Sequence, residues 1–236
     1  PYRITRQGID WERPEPENPW ANIGYWGDHQ LIYLLKLIEQ SLAHNPVALK
    51  SMMFSDIFAY ANVPYRIKSY ASILSDPCDT IEFDKDLDRV IDGRVESMGA
   101  DGRLMPAPSG EVYQVNLAEK ILVTLLSKIA NFIPDSGIWM NTQRPEWNDA
   151  NNALVGTGVS VVTLCYLHRF LNKAVPLFSE LEQDSVQLSA EVAAFMSDVG
   201  SVLEAQQGSI GKGPVSDAVR KEVMEAFGTA AERYRQ

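Results

Sequence analysis

Apolar side chains recur along this chain at the spacing of one helical face, and that repetition limits the fold more than any other feature of the sequence. Leu31, Leu34, Leu35 and Ile38 fall at i, i+3, i+4 and i+7, which stacks them on a single side of an α-helix with Asp28 at its start. Between Asn116 and Phe132 the pattern thickens to Leu117, Ile121, Leu122, Leu125 and Ile129, a helix apolar enough to be buried on most sides, and Pro134 marks its end. Asp84 to Met98 reads as a charged helix with a narrow stripe of Leu87, Val90, Ile91 and Val95. Val47–Ala61, Val159–Asn172, Ser185–Gln207 and Ser216–Arg235 complete the helical segments. The β-branched start at Val159 resembles a strand, but the length of the segment favours a helix. The expected architecture is all-α, with about seven or eight helices and no strand alternation.

Proline and glycine punctuate the rest. Residues 1 to 26 hold Pro14, Pro16 and Pro19 beside Trp11, Trp20 and Trp26, which forbids a regular helix and predicts an ordered, aromatic-rich loop. Gly99–Gly110, Asp135–Gly158 and Gly208–Pro214 are further loops, and the stretch between Ala61 and Asp84 is ambiguous. Lys212 in the glycine-rich last loop suggests an oxyanion cradle, but the P-loop pattern is missing. Gly156-Thr157-Gly158 likewise lacks the preceding strand and third glycine of a dinucleotide fingerprint. No GxSxG elbow or Cys-His pair supports nucleophilic hydrolase chemistry.

Charge and composition exclude whole classes of function. A formal net charge of −10 repels a phosphate backbone, so nucleic acid is not an expected partner. Hydrophobic residues make up 45% and charged residues 22%, and no apolar run approaches the roughly 20 residues that cross a bilayer, so no membrane partner is expected either. Neutral sugars remain open, because they are held by hydrogen bonds and aromatic faces rather than by net charge. Cys78 and Cys165 form no disulfide framework and read as free thiols of a cytoplasmic protein. His29, His44 and His168 lack metal-ligand spacing, so neither a metal nor a cofactor is expected. The polar, proline-rich first residues lack a charged stretch followed by an apolar one, so a signal peptide is not expected. Residues 1–236 are expected to form a single helical domain, a fragment of a longer multidomain protein whose remaining domains are its partners.

All five tryptophans lie in the two aromatic loops. An indole presents a broad apolar face and one donor, which suits the C–H face of a pyranose ring, and the competing use is to plug the end of a helix bundle. Trp26, Trp139 and Trp147 are therefore candidate sugar platforms. The run from Trp139 to Asn152 adds Arg144, Glu146, Asn148, Asp149 and Asn152, more hydrogen-bonding groups than a turn needs. Glycosidic cleavage requires an acid to protonate the leaving oxygen and a second group, a water-activating carboxylate or an external nucleophile, at the anomeric carbon. Asp149 and Glu146 are the candidate acids, against the alternative that Asp149 is a helix cap or Asx-turn. Arg144 fits a sugar oxygen or an anion, or else an ion pair with Glu146. His29 fits a sugar hydroxyl or a structural contact at the helix start.

Trp147-Asn148-Asp149-Ala150-Asn151-Asn152 followed by Gly156-Thr157-Gly158-Val159-Ser160-Val161 resembles the WNDxxN…GxGxSV signature of the cellobiose and chitobiose phosphorylase family. That resemblance implies an (α/α)₆ helical barrel of the six-hairpin glycosidase kind, of which this chain is part or all. It also implies Asp149 as general acid and Trp147 as a wall of the sugar subsite beside the cleaved bond. Gly24-Tyr25-Trp26-Gly27-Asp28 is similar to a second family segment whose aspartate grips donor-sugar hydroxyls, a role that falls on Asp28; a helix cap is the alternative there. The sequence departs from the family at Gly27, Glu146 and Val159, and by one extra residue before Gly156.

The expected function is cleavage or formation of glycosidic bonds by an inverting mechanism. Asp149, kept protonated beside Trp147, acts as acid while water or inorganic phosphate attacks the opposite face. The substrate is then an oligosaccharide or glycoside, and a hydrolase would need a base such as Glu146. The rival expectation is a non-catalytic helical domain that binds carbohydrate or scaffolds a larger protein.

Overall fold

The computed structural model describes residues 2–5, 8–11, 28–142, 153–183, 185–211 and 213–236. The chain is mostly α-helical, with eight α-helices among the described residues: α1 (Asp28–His44), α2 (Pro46–Met52), α3 (Tyr70–Ser75), α4 (Lys85–Met98), α5 (Leu117–Ile129), α6 (Val161–Ser179), α7 (Ala190–Gln206) and α8 (Asp217–Arg235). Several of their starts carry a polar cap. Asn45, Asp84, Asn116, Ser160 and Ser216 each accept a backbone N–H of the first turn through the side chain, which satisfies donors that a helix start leaves unpaired.

Where the sequence shows no strand alternation, nine short strands in four small antiparallel sheets accompany the helices among the described residues. β1 (Tyr2–Thr5) and β2 (Gly8–Trp11) form a hairpin inside the segment expected to be a loop. β3 (Phe58–Ala59) pairs with β6 (Gln114–Val115), and β4 (Tyr65–Ile67) with β5 (Ile81–Phe83). β7 (Phe132–Ile133), β8 (Gly137–Trp139) and β9 (Val159–Ser160) make the one three-stranded sheet described. Strands of two to four residues are too short to display an alternating pattern.

The same contacts move several helix boundaries. The helix expected from Val47 to Ala61 stops at Met52 because Phe58 and Ala59 bond to β6, and Lys120 Nζ donates to the Ala59 carbonyl at 2.9 Å. The helix expected to begin at Ser185 begins at Ala190, since the Gln187 carbonyl accepts from Asn116 Nδ2 at 2.7 Å and Ser189 N–H donates to Glu119 Oε2 at 2.7 Å. Helix α6 runs past Asn172 to Ser179 with Pro176 inside its last turn, where the missing N–H leaves out the bond to the Asn172 carbonyl.

Helix α5 is the shared wall of the molecule. Leu117, Ala118, Ile121 and Leu125 pack with Leu31, Leu35 and Ile38 of α1 and with Leu167, Phe170 and Ala174 of α6. Leu126 and Ala130 pack instead with Val192, Phe195 and Val199 of α7 and Val223 and Phe227 of α8. Such two-sided burial explains why its sequence is apolar nearly all round. A third cluster joins Tyr70, Ile73 and Trp139. There Gly228 lets α8 approach the Tyr70 ring: a Cβ at that position would lie 2.1 Å from Tyr70 Cε2.

Contacts along α1 and α6 fix their direction. Thr163 meets Asp28 at the two helix starts, Arg169 meets Glu39 at 2.7 Å further along, and Lys50 of α2 meets Glu180 at 3.2 Å beyond the end of α6. The two helices therefore run parallel. The β7–β8–β9 sheet carries the chain from the end of α5 to the start of α6, so α5 runs antiparallel to both.

Candidate functional site

The starts of α1 and α6 meet through a chain of short polar groups. Asp28 is fully buried, and its Oδ1 accepts from Thr163 Oγ1 at 3.0 Å. Ser160 Oγ lies 2.7 Å from Thr163 Oγ1 and accepts the Thr163 N–H at 3.1 Å. Two helix N-termini with their unpaired N–H groups favour a carboxyl group at this point. Substitution of Thr163 by valine removes the hydroxyl while nearly keeping the volume, and is expected to lower stability by about 1–3 kcal/mol. Urea unfolding measures this, and a change under about 0.5 kcal/mol would show that the bond does not hold the two helix starts together.

The loop carrying the acidic run has described stems on both sides. Met140 N–H donates to the Gly158 carbonyl at 3.0 Å and Gly156 N–H to the Met140 carbonyl at 2.7 Å. Asn141 Nδ2 donates to Asn131 Oδ1 at 2.8 Å, and Asn141 and Thr142 are both buried. Gly156 has φ +79°, and a Cβ there would sit 2.8 Å from Cys78 Sγ. Only glycine accepts both the dihedral and the close approach. The glycine pair quoted in the family resemblance thus has a local structural role: it lets the returning stem lie against residues 77–78.

The expected site residues divide sharply. Asp28 is in this junction and already has a protein partner in Thr163. His29 is half-buried, with its ring stacked on Tyr33 at 5.5 Å between centroids. Trp139, a candidate sugar platform, lies in the third packing cluster. Only 8% of it is exposed, it packs with Tyr70 and Ile73, and its Nε1 donates to the Gly156 carbonyl at 2.9 Å, so both face and donor are spent. Trp26, Arg144, Glu146, Trp147, Asn148, Asp149 and Asn152 lie outside the described residues.

A second concave feature lies at the opposite end of α5 and has no counterpart in the sequence reading. Tyr60, Tyr113, Tyr234, Glu119 and Glu191 are among the residues lining a cleft of about 410 Å³. Glu119 is 3% exposed; its Oε1 accepts from Tyr60 Oη at 3.2 Å and its Oε2 from the Ser189 N–H. All three phenols are held above their ordinary range, first by burial and then by the Glu119 carboxylate, so they remain protonated donors. Burial lowers the Lys120 ammonium against the opposing pull of Glu119. The available signal was Glu119-Lys120, a charged pair within the most apolar helix. Its partners are scattered from residue 60 to residue 234, and no spacing rule joins them.

Among the described residues no group of three or more His, Cys, Asp or Glu side chains is placed to hold a metal ion, and no helix is long and apolar enough to cross a membrane. The chain matches no family model and no curated protein.

Proposed function

We propose that this chain belongs to a carbohydrate-active enzyme that cleaves or forms glycosidic bonds with inversion, using Asp149 as general acid. The bond between Thr163 and Asp28 carries the reading. It ties the helix start bearing one proposed sugar-binding residue to the helix that follows the loop bearing Glu146, Trp147, Asn148, Asp149 and Asn152. Parallel α1 and α6 with antiparallel α5 packed between them are compatible with part of an (α/α)₆ barrel. In this proposal Trp26, Asp28, His29 and Arg144 bind the substrate, an oligosaccharide or glycoside. Water or inorganic phosphate attacks the anomeric carbon from the face opposite Asp149, and Glu146 is the candidate base if water is used.

Product release from a panel of disaccharides and oligosaccharides, with and without inorganic phosphate, tests the proposal in the full natural chain. Release is expected, and its dependence on phosphate separates phosphorylase from hydrolase. A folded protein that releases nothing under either condition overturns the catalytic reading. The second reading, a non-catalytic helical module that binds carbohydrate or scaffolds a larger protein, is favoured by Trp139, whose indole is committed to packing.

A further inference from the structure

The tyrosine-lined cleft is separate from the α1–α6 junction. It adjoins the first turn of α5, whereas the β7–β8–β9 sheet that leads to the junction follows the last turn. The 13 residues of that helix set its ends about 18 Å apart at the usual rise. A smaller chamber of about 120 Å³ shares Tyr113, Glu119 and Ser189 with the cleft and adds Asp56 and Asn116. At about 410 Å³ the main chamber falls within the range of small-molecule sites.

The chemistry of the walls is one-sided. Asp56, Glu119 and Glu191 contribute three carboxylates, and no lysine, arginine or histidine is among the described residues lining either chamber, although the Lys120 ammonium lies against the Tyr60 ring and within coulombic reach of Glu119. Glu119 is fixed by Tyr60 and Ser189. Glu191 is exposed in the first turn of α7 and makes no hydrogen bond or ion pair among the described residues, so its charge is uncommitted. The apolar part of the wall is aromatic: Tyr60, Tyr113 and Tyr234, with Met105 and two prolines. One tyrosine already holds a cation, for Lys120 Nζ sits 3.8 Å from the centroid of the Tyr60 ring. A ring face and a nearby carboxylate attract a positive charge together, the face through its quadrupole and the acid through its charge.

We propose that this cleft is a binding site for a small organic cation of the alkylammonium class, its apolar body against the tyrosine rings and its charge facing Glu119 and Glu191. The inference is independent of the glycosidic reading, and its test uses no turnover. Isothermal titration calorimetry on the full chain would compare choline and n-butylammonium with 3,3-dimethylbutan-1-ol, the neutral isostere of choline. At least one cation is expected to bind roughly tenfold more tightly than the isostere. Glu191→Gln, at an exposed position, is expected to weaken that binding several-fold, and Tyr113→Leu to weaken it further, with circular dichroism unchanged in both. Added salt is expected to reduce the difference between cation and isostere. Equal binding of the neutral isostere, absence of binding by both cations, or affinities untouched by both substitutions would each overturn the proposal.

Discussion

Replacing Phe170 with alanine is expected to destabilise the fold by about 3–5 kcal/mol, the upper range for truncation of a buried aromatic side chain. Phe170 has no exposed surface and lies in the cluster that joins α1, α5 and α6. The loss has two parts: the transfer free energy of the ring, and the contacts its neighbours forfeit around the space left behind. How far that space closes depends on whether the helices can slide together. Here α6 is held by Ser160 and Thr163 at its start, by the Arg169–Glu39 pair in its middle and by the Lys50–Glu180 pair beyond its end. Those exposed ion pairs add little stability themselves, but together with the buried Asp28 contact they fix the register, so little collapse is expected. Leu37→Ala is the control. That leucine is 64% exposed on α1, and its truncation is expected to change stability by no more than about 0.5 kcal/mol. Equal effects of the two substitutions in urea unfolding would mean that α1, α5 and α6 do not share a packed interior.

The difference between Phe170 and Leu37 also shows what the sequence made legible. The stripe Leu31, Leu35 and Ile38 was readable because burial on one face imposes a period, and the structure buries those three residues while leaving Tyr33 and Leu37 exposed. The small sheets were not. Phe58 and Ala59 become a strand only because Gln114 and Val115 lie beside them, and no local preference encodes a partner more than fifty residues away. The start of α7 was hidden for the same reason, being set by Asn116 and Glu119 of another helix.

Legibility of the candidate site follows the same division. Asp28 could be singled out by its place before an apolar helix, yet its partner Thr163 could not. Trp139 was singled out by its residue type, and type alone does not tell a sugar platform from a core plug. Its carbonyl partner at Gly156 bears on that choice, and a sequence does not show which groups lie within hydrogen-bond reach. The tyrosine cleft combines residues from before α3, before α5, within α5, at the start of α7 and near the end of α8. Apart from Glu119 in its apolar helix, none of its members is unusual in its own segment. Clefts of this kind come from helix packing and loop closure, so they enter only with coordinates.

The largest effect expected of any substitution is on turnover. Asp149→Asn is expected to reduce glycosidic cleavage by about 10²–10⁴-fold, the usual contribution of a positioned general acid, while leaving substrate affinity nearly unchanged. Asparagine keeps the shape and hydrogen-bonding capacity of the side chain but has no acidic proton to give. The prediction separates catalysis from capping, because loss of a helix cap costs only about 1 kcal/mol of stability, leaves the leaving-group dependence unchanged, and is less severe for asparagine than for alanine. The leaving group supplies the sharper test. An alkyl glycoside departs as a poor alkoxide and needs the proton, whereas a dinitrophenyl glycoside departs without it. If Asp149 is the acid, the variant loses activity on the alkyl substrate and retains most of it on the dinitrophenyl one, and the acidic-to-basic fall in the pH profile of alkyl cleavage disappears with it. Equal loss on both substrates would assign Asp149 to folding or binding instead, and unchanged activity on both would remove it from the site.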